Sequence, residues 1–319
     1  MDERLIGTRF DALDQKEKGA LMKEIAKRFG MSYKGLLHFS GRRRKEITTG
    51  IFEKERAQFI FIPGDTVTMG WAGFSEGLTA GSIEELREVF EEMEFKGTYE
   101  EFLAPMLTPQ RTAEIMPMLA ERDPRGLYGD KVPVDDPRVR PEWREALTRA
   151  ICGRETPTAF TILDKVRFTR TGDIWQAEIY SGVTYVELLE DLAAEGYSLP
   201  NADEWAYLCG GGCPTLFPWG DGITPGLRLR HFDDSDGDTP YDLEQPNFFG
   251  IKIAFDPYKS ELIHADPPMY CGGDGGGNIC GGLGKFLGYL PCSPYYKPQP
   301  VEEPIDGKSY FFRRIIRIE

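Results

Sequence analysis

The chain has few basic residues for its size, and this deficit limits its partners. Its 319 residues include 38 lysines and arginines against 52 aspartates and glutamates, so the formal net charge is −14. A surface with this excess of negative charge repels phosphate backbones and anionic lipid headgroups. The one basic run, Arg42–Lys45, is too short to reverse that balance. We therefore expect no nucleic-acid partner and no membrane partner.

Long hydrophobic runs are also missing. No stretch approaches the roughly 18 apolar residues that a membrane-spanning helix needs. The chain opens on the charged sequence Met1–Arg4 instead of an apolar leader. We expect a cytoplasmic protein, and thiols in that compartment are normally reduced. The six cysteines are accordingly interpreted as thiols and not as three disulfides.

What the chain does contain is glycine, proline and aromatic residues in quantity, with 36 Gly, 23 Pro, 20 Phe and 14 Tyr. Near the N-terminus, residues 13–29 place apolar and charged side chains at helical spacing and stop at Gly30, which predicts an amphipathic helix. Residues 32–52 are expected to add a second short helix and a strand. The apolar run 58–62 stops at Pro63 and predicts a buried strand.

Two further segments have clear patterns. Residues 160–179 are rich in residues that favour strands and predict a β-hairpin with its tip at 171–173. Residues 183–195 predict a helix. We find no internal repeat in the chain.

The most informative segment is Leu199–Asp221, which combines a helix start, a helix, a glycine turn and an aromatic exit. Pro200 suits the entry to a helix, and Asn201 or Asp203 can accept hydrogen bonds from its first amides. Gly210–Gly212 then stops the helix. The sequence Phe-Pro-Trp-Gly-Asp that ends at Asp221 follows the glycine turn.

This ordered set resembles the formylglycine-generating enzyme family, also called the sulfatase-modifying-factor family. Its members carry a Leu-Pro-Thr-x-x-Glu-Trp-Glu-Tyr helix, a glycine-rich turn and a Tyr/Phe-Pro-Trp-Gly-Asp/Asn segment. Three other segments of this chain are similar to family blocks and follow in the same order: Phe59–Gly70, Asn247–Ile251 and Gly272–Asp274. The tail Tyr310–Arg313 stands where the family ends in Gly-Phe-Arg.

The resemblance implies a C-type-lectin-like α+β domain that is low in regular structure. It covers roughly residues 56–319, so we expect a helical N-terminal extension over 1–55 and a formylglycine-generating-enzyme-like domain over 56–319. A related branch of the superfamily, the sulfoxide synthases, binds iron through three histidines. Because His38, His231 and His264 form no i, i+4 pair, the chain does not match that branch.

Members of the family oxidise a substrate cysteine with molecular oxygen and a Cu⁺ ion that is held by two cysteines. Thiolates are soft ligands that select Cu⁺. The resemblance assigns the catalytic positions to Cys280 and Cys292, but eleven residues separate them where the family has four, and Lys285 stands where the partner of Cys280 is expected. We therefore expect Cu⁺ only if Cys280 and Cys292 come together in the fold; otherwise they are idle thiols.

Two other groups of residues could hold a metal. Cys209 and Cys213 flank three glycines, an arrangement that suits either half of a zinc site or an ordinary helix-end turn. An acidic loop offers oxygen ligands of the kind that Ca²⁺ prefers, although its glycine is one position out of the EF-hand register. The calcium candidates are Asp233, Asp234, Asp236 and Asp238. A solvated acidic loop is the alternative interpretation.

The family blocks that match are scaffold features, and the block that would carry the chemistry differs. We therefore expect a divergent family member that lacks the copper–cysteine centre and acts as a binding or altered-activity domain for a peptide or protein partner. Trp219, Asp221 and Asn247 are the expected binding residues. The alternative is an oxidoreductase that converts a protein cysteine to formylglycine.

Overall fold

The computed structural model describes residues 2–41, 46–127, 129–153, 157–162, 165–180, 182–234, 239–302, 305 and 310–319. Runs of strands follow runs of helices along the chain, and the strands form several sheets, so the expected α+β class is confirmed. Within the described residues, no helix is both long enough and apolar enough to cross a membrane. The helices are α1 Gly7–Ala12, α2 Gln15–Phe29, α3 Ala80–Glu92, α4 Tyr99–Leu103, α5 Pro141–Ile151, α6 Tyr185–Ala194, α7 Ala202–Gly210, α8 Gly277–Cys280 and α9 Gly284–Tyr289.

The largest hydrophobic core surrounds a five-stranded sheet. Its central strand carries four consecutive side chains with no exposed surface, from Phe59 to Ile62, because both faces of the strand are covered. The buried strand predicted over 58–62 is therefore confirmed. In spatial order the strands are β1 Ser32–Ser40, β2 Glu46–Lys54, β3 Ala57–Ile62, β6 Met118–Glu121 and β16 Ile315–Arg317.

The N-terminal residues belong to this same sheet. The predicted amphipathic helix is confirmed as α2, which a capping box at Asp14 starts and Gly30 ends. The second short helix expected over 32–52 is replaced by β1 and β2, which pair along their length. Lys54 pairs with Ala57, so the expected boundary at 55/56 falls in a two-residue hairpin turn whose residues both have positive φ, as in a type I′ turn. Among the described residues of the N-terminal segment, the helices lie between residues 3 and 29.

Two further sheets are built from strands that are distant in the sequence. One is the antiparallel pair of β4 Asp65–Met69 and β5 Arg111–Ile115. The other has five strands, of which β12 and β15 run parallel. Its strands in spatial order are β14 Gln299–Pro300, β13 Met269–Cys271, β12 Ser260–Ile263, β15 Tyr310–Phe312 and β7 Arg125–Gly126.

Residues 129–180 form a unit with a hydrophobic cluster of its own. Its sheet has the spatial order β8 Gly129–Pro133, β11 Ile174–Tyr180, β10 Val166–Thr171 and β9 Ala159–Ile162. Helix α5 packs Trp143 and Leu147 against this sheet. The predicted hairpin is confirmed as β10 and β11, since Thr171 pairs with Ile174 across its tip. The predicted helix over 183–195 is confirmed as α6.

Candidate functional site

The candidate site begins with helix α7, whose ends follow from local sequence. Asn201 accepts a hydrogen bond from the Glu204 amide at 2.9 Å, and the Glu204 carboxylate accepts from the Asn201 amide at 2.8 Å, which forms a capping box. Gly211 ends the helix in the left-handed conformation, with φ of 56°. Between these ends Trp205 is 1% exposed. The helix therefore holds Cys209 in a fixed place at its carboxyl end.

A pocket of about 470 Å³ opens beside that end of α7. Its walls come from four parts of the chain: the end of β1, the α7 turn, the loop around residue 245 and the segment at residue 292. The described residues that line it are Ser40, Gly41, Cys209, Gly210, Cys213, Pro214, Pro218, Trp219, Asp242, Leu243, Gln245, Pro246, Asn247, Phe248, Ile253, Ala254 and Cys292.

Close packing keeps the pocket walls together. A Cβ atom on Gly41 would lie 2.9 Å from Cβ of Phe248, and one on Gly210 would lie 2.9 Å from the ring of Pro294. Real Cβ atoms do not approach other heavy atoms this closely, so both positions require glycine. Glycine at these two positions therefore lets the end of β1 pack against Phe248 and lets the end of α7 pack against Pro294.

Trp219 is the predicted binding residue that offers a surface to the pocket. Its ring stacks on Phe217 with a centroid separation of 4.6 Å and an interplanar angle of 8°. The stack fixes the orientation of the indole, which is half-buried. Its Nε1 atom is buried and has no hydrogen-bond partner among the described residues.

Asn247 and Asp221 are occupied by the scaffold. The amide of Asn247 donates to the Leu208 carbonyl at 2.7 Å, and its oxygen accepts from the amides of Phe249 and Ile251. Asn247 lines the pocket, but these bonds use its polar atoms. The Asp221 carboxylate is 2% exposed and accepts three backbone N–H groups, those of Leu216, Glu76 and Gly77. Both residues therefore shape loops around Trp219.

Three thiols line the pocket, a grouping that sequence spacing does not reveal. Cys209, Cys213 and Cys292 are each at most 4% exposed. Each thiol donates to a backbone carbonyl: Cys209 to Cys292, Cys213 to Thr215 and Cys292 to Gly272. Burial raises the pKa of Cys209 and of Cys292 well above the ordinary thiol value. Both thiols are therefore protonated at neutral pH and are weak nucleophiles.

Cys280 has different surroundings from Cys292. It is exposed at the end of α8, and its sulfur lies 3.1 Å from the Tyr258 hydroxyl. Lys285, at the position where the family's second ligand is expected, places its ammonium 3.1 Å from the Asp233 carboxylate. Cys280 and Cys292 therefore differ in exposure and in hydrogen-bond partner, since the sulfur of Cys280 lies against Tyr258 and that of Cys292 donates to the Gly272 carbonyl.

The calcium candidates also have other partners where the structure describes them. Asp233 accepts from the Leu229 amide at 2.8 Å and pairs with Lys285, so its charge is already neutralised. Asp234 uses its carbonyl to accept from Arg228. Asp236 and Asp238 lie outside the described residues. Across the described part of the chain, no group of three or more His, Cys, Asp or Glu side chains is arranged to hold a metal ion.

Comparison with known proteins assigns neither a family nor a function to this chain. No family model matches this chain, and no curated protein matches it. The functional argument therefore rests on the pocket and on the groups around it.

Proposed function

We propose that the protein is a divergent, non-catalytic member of the formylglycine-generating enzyme family with a C-type-lectin-like fold, and that its pocket binds an uncharged side chain of a peptide or protein partner. The family assignment is supported by the order of the matching sequence blocks. The binding role is supported by the pocket itself.

The observation that carries the proposal is the chemistry of the pocket wall. Asp242 is the one charged residue among the described lining residues, and its carboxylate accepts from the Arg228 amide at 2.6 Å. The remaining wall is aromatic, aliphatic, glycine, proline or cysteine, and its other polar side chains, those of Ser40, Gln245 and Asn247, are uncharged. Stacking and close packing hold this apolar surface in place. Covering it with another apolar group makes the free energy of binding more favourable. An uncharged aliphatic or aromatic side chain suits such a wall, and an anionic one does not.

The pocket volume supports a side chain as the ligand. A volume of about 470 Å³ lies within the range of small-molecule sites, which is roughly 300–1,000 Å³. It is larger than one amino-acid side chain requires, so flanking peptide atoms fit as well.

The test uses N-acetyl amino-acid amides of Phe, Leu and Glu as probes in ligand-observed NMR. We expect the Phe and Leu amides to bind and the Glu amide not to bind. Leu243→Trp, which places bulk in the pocket, should abolish binding. Ile174→Trp is the matched control, since Ile174 is 68% exposed on β11 and lies outside the pocket. Equal binding by wild type and Leu243→Trp would contradict the proposal.

A second candidate is the oxidation of a substrate cysteine, and one observation favours it: Cys292, which the resemblance assigns to catalysis, lines the same pocket. Because Cys280 is exposed against Tyr258 while Cys292 is buried against the Gly272 carbonyl, we expect no conversion. The measurement is mass spectrometry of a sulfatase-type cysteine peptide after incubation with the protein, oxygen and copper. Loss of the thiol with gain of an aldehyde would show that this second candidate is correct.

A further inference from the structure

Four aromatic rings form a cluster where α3 ends and α4 begins. Phe90 lies at its centre, with its ring centroid 4.8 Å from that of Phe95 and 5.0 Å from that of Phe102. The ring of Tyr99 lies 5.2 Å from Phe90, and Phe95 also contacts Phe102 at 5.3 Å. None of the four rings is fully buried, and none lines the pocket. The cluster therefore presents aromatic surface to solvent in a different part of the molecule.

The turn between these helices also exposes apolar side chains. Met93 is 52% exposed and Phe95 is 36% exposed, although only seven large hydrophobic side chains are exposed in the described part of the chain. Single exposed apolar side chains are normal on a protein surface. Here two of them stand one residue apart and continue into the aromatic cluster. Such a contiguous group is typical of an interaction surface.

Backbone hydrogen bonds fix the turn that carries these side chains. The Phe95 amide donates to the Phe90 carbonyl at 2.9 Å, and the Met93 amide donates to the Val89 carbonyl at 2.9 Å. Helix α4 then begins with a capping box. A partner that covers the exposed side chains therefore does not have to order the turn first, which lowers the entropic cost of binding.

Carboxylates surround the exposed apolar side chains. Residues 84–101 contain eight glutamates against one arginine and one lysine, a formal charge of −6. Glutamates stand on both sides of Met93, and one of them, Glu94, directly precedes Phe95. Glu92 and Glu94 are exposed, and neither forms an ion pair with a described residue. A partner that covers Met93 and Phe95 must place its own atoms beside these carboxylates, so lysine and arginine are favoured there and acidic side chains are disfavoured.

We propose that the α3–α4 surface binds a segment of another protein that carries lysine or arginine beside large apolar side chains. The apolar side chains of the segment cover Met93 and Phe95, and its cations pair with the glutamates around them. A second copy of this chain does not fit, because it would bring carboxylates against carboxylates. The surface comprises Phe90, Glu92, Met93, Glu94, Phe95, Tyr99 and Phe102.

The test compares three rhodamine-labelled peptides in anisotropy titrations of the full chain. The first is acetyl-Lys-Lys-Leu-Phe-Lys-Lys-Leu-Leu-Lys-Lys-amide. The second has serine in place of Leu and Phe, and the third has glutamate in place of Lys. We expect the first to bind at least about tenfold more tightly than either of the others, because it alone has both the apolar anchors and the cations. Equal affinity of the first two peptides, or binding of the acidic one, would overturn the proposal.

A pair of variants locates the apolar contact. Met93→Ser combined with Phe95→Ser leaves the charge unchanged and should weaken binding of the first peptide about tenfold. The matched control is Ile174→Ser combined with Val186→Ser, since these side chains are 68% and 60% exposed elsewhere. The control should bind as the wild type does. Equal affinity in all three proteins would contradict the proposal. Dimerisation of the wild type that Met93→Ser with Phe95→Ser abolishes would assign the surface to a second copy and would also overturn it.

A second pair of variants tests the charges and does not disturb the aromatic cluster. Glu92→Gln combined with Glu94→Gln should weaken binding of the first peptide and reduce its dependence on salt, because exposed charges are screened by ions. The control is Glu142→Gln combined with Glu145→Gln, which removes two exposed carboxylates from α5. It should change neither property. Equal losses from both pairs would mean that the net charge of the chain attracts the peptide, and the proposal would fail.

The pocket variant separates this surface from the proposed function. Leu243→Trp fills the pocket, and Leu243 does not belong to the α3–α4 surface. This variant should therefore bind the first peptide with the affinity of the wild type. A loss of affinity of about tenfold would place the peptide in the pocket instead and would overturn the assignment to the α3–α4 surface.

Discussion

At the scale of the residue, burial determines the chemistry of the inward-facing thiols. Cys209, Cys271 and Cys292 have raised pKa values, and burial is the largest cause for each. An apolar interior disfavours the charged thiolate, so the folded protein keeps protons that the unfolded chain loses. The same residue type that is reactive at an exposed position is therefore inert within this core.

This difference predicts a dependence of stability on pH. A thiol whose pKa is raised by folding contributes stability that is fully present below the unfolded pKa of about 8.5 and is lost as pH rises above it. We expect the free energy of unfolding to fall as pH is raised from neutral through that range. Urea unfolding followed by circular dichroism at several pH values measures this.

The control for this prediction is a variant in which two of the thiols cannot ionise. Cys209→Ala combined with Cys292→Ala should lower stability at neutral pH, because both side chains are buried. It should nevertheless show a smaller decrease with pH. A decrease as steep as that of the wild type would mean that the thiols do not cause it.

At the scale of the element, the start of each of three short helices is set by a capping side chain. α4, α6 and α7 each begin with a capping box, formed by Thr98, Thr184 and Asn201 with the third helical residue. Helices of five to ten residues are marginal by themselves in water. The caps satisfy the first free amides and set where each helix starts.

Removing the cap of α7 therefore has a predictable cost. Asn201→Ala should lower the free energy of unfolding by about 1 kcal/mol, the usual effect of losing an N-cap side chain. Glu190→Ala on the exposed face of α6 is the control and should change stability by less than about 0.5 kcal/mol. Thermal or denaturant unfolding gives both values. Equal effects from the two substitutions would show that the cap does not stabilise α7.

At the scale of the whole molecule, the chain enters and leaves the unit over 129–180 at neighbouring residues. Tyr180 at the end of β11 pairs with Gly129 at the start of β8, so the two ends of the unit are neighbours. The hydrophobic clusters of the remaining chain are formed without its described residues. The unit also has a core of its own.

We therefore predict that residues 130–179 can be replaced by a short glycine–serine linker without loss of the remaining fold. The shortened chain should be monodisperse, should unfold cooperatively and should bind the same N-acetyl amides as the full chain. Size-exclusion chromatography, circular dichroism and the NMR binding test measure these properties. Aggregation of the shortened chain, with the full chain well behaved, would contradict the prediction.

The sequence by itself determined the elements that depend on neighbouring residues. The start and end of α7, the hairpin tip at 171–173 and the buried strand at 58–62 follow from capping side chains, turn residues and an unbroken apolar run. Local hydrogen bonding and side-chain spacing encode such features directly.

Only the tertiary structure decided which distant residues meet. Cys209, Cys213 and Cys292 line one pocket, while Cys280 lies against Tyr258 and Lys285 pairs with Asp233. The joining of β1 and β2 to the central sheet likewise depends on a hairpin turn at Glu55 and Arg56, residues that do not favour positive φ by themselves. Sequence spacing limits how near two side chains can come, but packing and backbone pairing across the whole chain select the contacts that form.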